Sequence, residues 1–254
     1  MCTVVLLHRP QHDWPVLLAA NRDELTTRPA RPPGRHWPDR PEVRAGLDLA
    51  AGGSWLGVND RGLVAAVLNR VGTLGPTAGK RSRGELVLEA LDHADAPSAA
   101  AALADLDPTA YRPFNLLLCD ARDAFVLRHA GDGAIRVVRL APGLTLLTSR
   151  EPNDPACARI RRYRPLFGSA EVPDPVRGDW SDWQLLLASR ASATGDPRDA
   201  LCVVTDGPYG TVSASLLAVP AGPERATVFL HAEGRPDETP FEPVAYRGPC
   251  STAG

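Results

Sequence analysis

The order of the hydrophobic patterns constrains this chain more than any other feature. Short strand-type apolar runs come first, then helical spacing, then strands, helices and strands again. A parallel α/β sheet requires strict strand–helix alternation, and this order lacks it. Blocks of strands and blocks of helices suit antiparallel sheets covered by helices, so the expected class is α+β.

The runs place the elements. TVVLLH (3–8) and VLLAA (16–20), joined by RPQHDWP, read as an opening hairpin. Residues 28–46 are dense in Pro and Arg and read as a long surface loop. SWLGVNDRGLVAAVLNR (54–70) reads as a second hairpin about the turn Asn59-Asp60-Arg61-Gly62. Ser82 with Glu85 is a capping-box pattern before ELVLEAL, and a second helix covers 97–106. Strands return at 114–119, 124–129, 134–140 and 144–149. Helices are expected from Asn153-Asp154-Pro155 and from Ser181, followed by strands at 201–205, 212–219 and 226–232. Residues 1–233 form one expected domain, and the polar, Pro-rich segment 234–254 reads as a flexible tail.

Composition narrows the function classes. The 254 residues are 44% hydrophobic and 23% charged, enough to bury a core without staples. A net charge of -2 gives no global attraction to nucleic acid. The five cysteines (Cys2, Cys119, Cys157, Cys202 and Cys250) form no Cys-x-x-Cys pair, and the six histidines have no ligand spacing. No metal or cofactor is therefore expected. Cys119, Cys157 and Cys202 sit in apolar runs and read as core residues of a reduced, cytoplasmic protein. The start lacks the pattern of a signal peptide, and no apolar run is long enough to span a bilayer. The basic run RIRRYR (159–164) reads as a solvated helix face.

Cys2 carries the most chemical information. Removal of Met1 from before a small residue leaves a chain that begins with cysteine. Its α-amino group, with a pKa of about 7.7–8.0, can then act as general base toward its own thiol. The plainer reading is a buried strand cysteine. Asn21-Arg22-Asp23-Glu24 follows the second strand of the opening hairpin, whose pairing brings it near position 2. An Asp there can orient the α-ammonium, and an Arg can bind a substrate carboxylate. Asn69, at the end of the second hairpin, is an amide suited to an oxyanion. Trp37 and Trp55 flank the same cleft, where they read as cleft aromatics or, more plainly, as core packing.

MCTVVLL, LLAANRDELTTRP, AGGSWLGVNDRGLVAAVLNR, RSRGEL and PFNLLL together resemble the NRDE family, the homologues of the transport and Golgi organisation protein 2 of animals. That family is in turn similar to the cholylglycine hydrolase and penicillin V acylase group of N-terminal-nucleophile (Ntn) hydrolases. The resemblance implies a four-layer αββα sandwich with two stacked antiparallel sheets. It also implies Cys2 as nucleophile, Asp23 as the amine-orienting carboxylate and Asn69 as oxyanion donor, with Asn21, Arg22, Trp55 and Ser149 toward the substrate. Two positions depart from the acylase pattern, Ala20 where it has arginine and Ser149 where it has asparagine, and Val212 departs from the NRDE pattern Tyr-Gly-Thr-Arg-Ser, which has arginine there. The implied activity is an amidohydrolase or acyltransferase acting on an amide or thioester acyl group of a small molecule. The second implied role is non-catalytic haem or lipid handling. The expected partner is the acyl substrate, without nucleic acid or stable membrane insertion, and a homo-oligomer is compatible with the sequence.

Overall fold

The computed structural model describes residues 2–245. The chain opens with β1 (Thr3–His8) and β2 (Val16–Leu25), then β3 (Ala30–Gly34), β4 (Val43–Asp48), β5 (Leu56–Asn59) and β6 (Val64–Asn69). Two helices follow, α1 (Gly84–Leu91) and α2 (Ala96–Ala104). Then come β7 (Phe114–Cys119), β8 (Ala124–His129), β9 (Ile135–Arg139), β10 (Gly143–Leu147), α3 (Ala158–Ser169) and α4 (Ser181–Leu187). β11 (Tyr209–Val219), β12 (Val228–Ala232) and β13 (Glu242–Pro243) close the fold.

The strands form two antiparallel sheets, β10-β1-β2-β11-β12-β13 and β3-β4-β5-β6-β7-β8-β9. Three apolar cores give the layers. Val4, Leu18, Val64 and Leu117 meet between the sheets. Ala65, Leu116 and Leu118 pack outward against Leu86 and Leu91 of α1 and Ala99 of α2. Val5, Leu17 and Leu216 pack outward against Ile160 of α3 and Trp183 of α4. The order is therefore α, β, β, α, as the resemblance implies. It also explains why TVVLLH and VLLAA are apolar without alternation: both faces of these strands are covered, so odd and even positions are buried alike.

Several expected elements are corrected. The 28–46 segment is not wholly loop. β3 pairs with β4, but only as an edge strand whose register breaks between Arg31 and Gly34, where Pro32 and Pro33 cannot donate to a ladder. Residues 201–205 form no strand. Leu201 and Val203 are buried, but their main-chain groups bond to Asn21 and Thr211 instead of a ladder. α3 begins at Ala158 and not near Asn153. Asn153 adopts a left-handed φ of 56° and accepts from the Leu146 N–H, so the chain is still turning off β10 there. Within the expected tail, β13 pairs with β12, and Asp237 accepts a bond from Cys202. Residues 246–254, including Cys250, lie outside the described residues.

Candidate active site

The β1–β2 register pairs Thr3 with Asn21, which leaves Cys2 beside Arg22 and Asp23. The Cys2 thiol packs against the inter-sheet core and donates to the Asp23 carbonyl at 3.5 Å. Burial, and then the Asp23 charge, push this thiol above its ordinary range. The Asp23 side chain points to the opposite, helix-covered face. There its Oδ1 accepts from Thr211 Oγ1 at 2.6 Å and its Oδ2 from Arg159 Nη1 at 3.1 Å. Arg159 also donates to Thr3 Oγ1 and to the Arg198 carbonyl, each at 2.6 Å. Both members of this ion pair are buried, at 1% and 0% side-chain exposure. The β1–β2 pair thus carries the thiol on one face and, on the other, a carboxylate with fixed orientation.

On the thiol side opens a cleft of about 220 Å³, bounded by Cys2, Arg22, Trp55, Asn69 and the start of α1. Its wall depends on a close backbone crossing. A Cβ on Gly53 would come within 2.5 Å of the Gly84 carbonyl carbon, and the Ser54 N–H bonds the Gly84 carbonyl at 3.0 Å. This accounts for Gly53 of AGGSW and for the glycine of RSRGEL, while Gly52 is set by its left-handed φ of 73° with nothing near an added Cβ. The Ser82 hydroxyl caps the Gly84 N–H, while Glu85 pairs with Arg81 instead of completing a capping box.

The cleft carries an excess of positive charge. Arg22 is only 8% exposed and stacks on the Trp55 ring at 4.2 Å, with no carboxylate among the described residues within ion-pair distance. Burial lowers its pKa. Arg83 is held by Thr73 Oγ1 and the Pro113 carbonyl, both at 3.0 Å. Burial, reinforced by neighbouring Arg112, brings it down to about 10. Arg112 is held by the carbonyls of Leu74 and Gly75 at 2.7 Å. The lining carboxylates Glu24 and Asp48 both pair with Arg28, at 3.9 and 2.6 Å.

Of the residues named from sequence, Cys2, Arg22, Trp55 and Asn69 come together in the cleft, and Asp23 stands behind it. Among the described residues no protein group takes a hydrogen bond from the Asn69 amide. Asn21 departs from expectation. Its amide hydrogens go to the Leu187 and Leu201 carbonyls at 2.9 and 3.0 Å, so it braces the helical layer and cannot offer them to a substrate. Ser149 is 2% exposed and lies two residues beyond Leu147, the partner of Val4; it is not part of the cleft wall. Trp37 donates to the Gly52 carbonyl and packs against the outer core instead of the cleft. Val212 sits at the bulge where the β2–β11 register shifts.

Sequence reasoning missed Arg159, assigned to a solvated face. A signal existed: Arg159, Tyr163 and Phe167 recur every fourth residue, and together with Ile160 they form the buried stripe of α3. Arg161 and Arg164 do face solvent.

A family model described as Transport and Golgi organisation 2 matches residues 1–169. The Transport and Golgi organization protein 2 homolog of Bos taurus is 34% identical over 155 residues, which are 56% of this chain and 55% of the bovine protein. The Homo sapiens homolog is 30% identical over the same shares. The match thus spans about half the length of these relatives. Among solved structures, the fold is similar to a Caenorhabditis elegans N-acylethanolamine-hydrolyzing acid amidase ortholog. The TM-score is 0.57 and the identity 13%, covering 88% of this chain and 94% of that one. It is also similar to a variant of the conjugated bile acid hydrolase of Clostridium perfringens, with a TM-score of 0.54 and 13% identity, covering 97% and 98%. At these identities the structural likeness is one of fold.

Proposed function

The chain belongs to the Transport and Golgi organisation 2 family, and we propose that it is an Ntn-type cysteine amidohydrolase or acyltransferase acting on an amide or thioester of a small, anionic acyl compound. The observation that carries this reading is the position of Cys2. Its thiol stands at the wall of a cationic cleft, next to an uncommitted amide at Asn69 and a buried carboxylate at Asp23. The solved structures of similar fold are, by their titles, an acid amidase ortholog and a bile acid hydrolase, which is consistent with acyl chemistry.

In the proposed reaction, removal of Met1 makes the Cys2 nitrogen a free amine. That amine takes the thiol proton, and the thiolate attacks the substrate carbonyl. A C–S bond forms, the carbonyl π pair moves to oxygen, and Asn69 donates to that oxyanion. Collapse expels the amine or thiol, which takes the proton from the Cys2 ammonium. Water then attacks the thioester to release the acid, or an acceptor amine takes the acyl group. Asp23, anchored by Arg159 and Thr211, holds the ammonium in place. Arg22 on Trp55 receives the substrate's negative charge.

The test is competitive labelling with substoichiometric iodoacetamide at neutral pH, read by mass spectrometry of the intact chain and its peptides. The expected result is a chain without Met1 in which Cys2 is labelled far ahead of the buried Cys119, Cys157 and Cys202, and acyl turnover that disappears in Cys2→Ala. Retained Met1, or a Cys2 no faster than an ordinary exposed thiol, removes the nucleophile reading. Non-catalytic haem or lipid handling is the second reading, favoured by Ser149, where the acylase pattern has asparagine, and by Val212, where the NRDE pattern has arginine. A Soret shift on haem addition, without saturable hydrolysis, supports it.

A further inference from the structure

β7 carries Asn115 wholly buried within FNLLLC, beside the inward-facing Leu117 and Cys119. A buried amide is costly unless its donors and acceptor are paired. Asn115 pairs them across the gap between the sheets. Its Nδ2 donates to the Thr148 carbonyl at 2.9 Å and the Arg150 carbonyl at 2.7 Å. Its Oδ1 accepts from Arg70 Nη1 at 2.8 Å. The other arm of Arg70 reaches Glu151 Oε1 at 2.7 Å, and Glu151 Oε2 accepts from Arg128 Nη1 at 2.8 Å.

What this amide connects gives it a meaning beyond packing. Thr148 and Arg150 lie in the segment leaving β10, and β10 is the ladder neighbour of β1, the strand that begins next to Cys2. Arg70 directly follows Asn69 at the end of β6, in the other sheet. We propose that Asn115, with Arg70 and Glu151, is a positioning unit that sets the spacing between Cys2 on one sheet and Asn69 on the other. The inference rests on the acyl-transfer reading, in which these two groups must act on a single carbonyl.

The physical need is specific. The apolar contacts between the sheets carry no directional preference, so they do not by themselves fix one sheet's slide along the other, and the buried bond of His8 Nε2 with the Asp120 carbonyl lies at the end of β1 remote from Cys2. Hydrogen bonds of 2.7–2.9 Å do. An oxyanion donor must lie about 2.7–3.1 Å from the developing charge, and a misplacement of about 1 Å costs roughly 100-fold in rate. A plain core amide would need partners, but not partners on the two chain segments that adjoin the nucleophile's strand and the oxyanion donor.

The experiment compares two reactions of the same thiol. p-Nitrophenyl acetate acylates Cys2 through a tetrahedral oxyanion, forming a C–S bond and releasing p-nitrophenolate. Iodoacetamide alkylates it by displacing iodide, with no oxyanion. Rates in Cys2→Ala are subtracted as background. In Asn115→Ala and Arg70→Met, the acylation constant is expected to fall about 10- to 100-fold while the alkylation constant holds. Arg70→Met carries the test if Asn115→Ala does not fold, because Arg70 lies at the rim with 17% side-chain exposure. Equal losses in both reactions, or no loss in either, overturn the positioning role and leave the acyl-transfer reading standing. A wild-type chain that alkylates at Cys2 but releases no p-nitrophenolate overturns that reading, and this inference with it.

Discussion

At the scale of single residues, the Asp23–Arg159 pair bears the largest energetic consequence. Both side chains are buried, and each is the other's charge partner. Removing one member leaves a desolvated charge behind, which costs about 3–5 kcal/mol in comparable buried pairs. Arg159→Met is therefore expected to destabilise the fold by about that amount in urea denaturation. Asp23→Asn combined with Arg159→Met is expected to recover part of the loss, because neither charge is then stranded. A loss below about 1 kcal/mol for Arg159→Met would mean that water or a rotamer change relieves Asp23, and the carboxylate would then lose its fixed orientation. Sequence made one half of this pair legible and hid the other. Asp23 stands out because hairpin pairing carries it to the chain start. Arg159 lies 136 positions further on, inside a basic run that composition assigns to solvent, and only the four-residue recurrence with Tyr163 and Phe167 separates it from Arg161 and Arg164. Asn21 failed for a related reason. Its neighbours Arg22 and Asp23 drew it into the site, but the two-residue alternation of a strand turns it toward α4.

At the scale of elements, what could be read depended on whether the information was local. Both hairpins, α2, and the strands from Phe114 to Leu147 follow from periodicity and turn residues, whereas the Asp95 cap of α2 emerges only in the structure. The 201–205 segment did not, because an apolar β-branched run looks alike in a strand and in a buried crossing whose backbone is satisfied by Asn21 and Thr211. Gly53 of AGGSW and Gly84 of RSRGEL were legible as motif letters without a reason, and the reason is a long-range contact. With Gly53 and Gly84 in backbone contact, Gly53→Ala must push the start of α1 away from the Trp55 strand. The expected cost is about 1–3 kcal/mol of stability, accompanied by a wider cleft. Gly72→Ala is the contrasting case: its φ of 74° is positive, as that of Gly53 is not, and no atom lies within 4 Å of an added Cβ, so backbone strain alone is felt there and steric contact alone at Gly53. Thermal melting of the two variants separates these effects. If Gly53→Ala melts at the wild-type temperature, the crossing does not hold the cleft wall.

At the scale of the whole molecule, the distribution of charge matters more than its sum. The chain as a whole has a net charge of -2, yet its cleft holds Arg22, Arg83 and Arg112 without carboxylate partners among the described residues, while Glu24 and Asp48 are spent on Arg28. A low-dielectric cleft lined by one sign of charge raises the local concentration of the opposite sign by about 10-fold or more. Cys2 itself can report this field. Iodoacetate and iodoacetamide alkylate a thiolate by the same displacement and differ mainly in charge, so their rate ratio at Cys2, divided by the ratio for free cysteine in the same buffer, isolates the electrostatics of the cleft. That normalised ratio is expected to exceed one by roughly an order of magnitude at low salt. It is expected to fall toward one in 1 M NaCl, where the screening length drops from about 8 Å at physiological salt to about 3 Å. Arg22→Gln should lower it more than Arg112→Gln does, because Arg22 lies beside the thiol and its charge acts directly on Cys2. A ratio of one that salt does not change would mean that the cleft's cations are fully offset by groups at its rim. The anionic character assigned to the substrate would then have no physical basis, although the Cys2 nucleophile would remain.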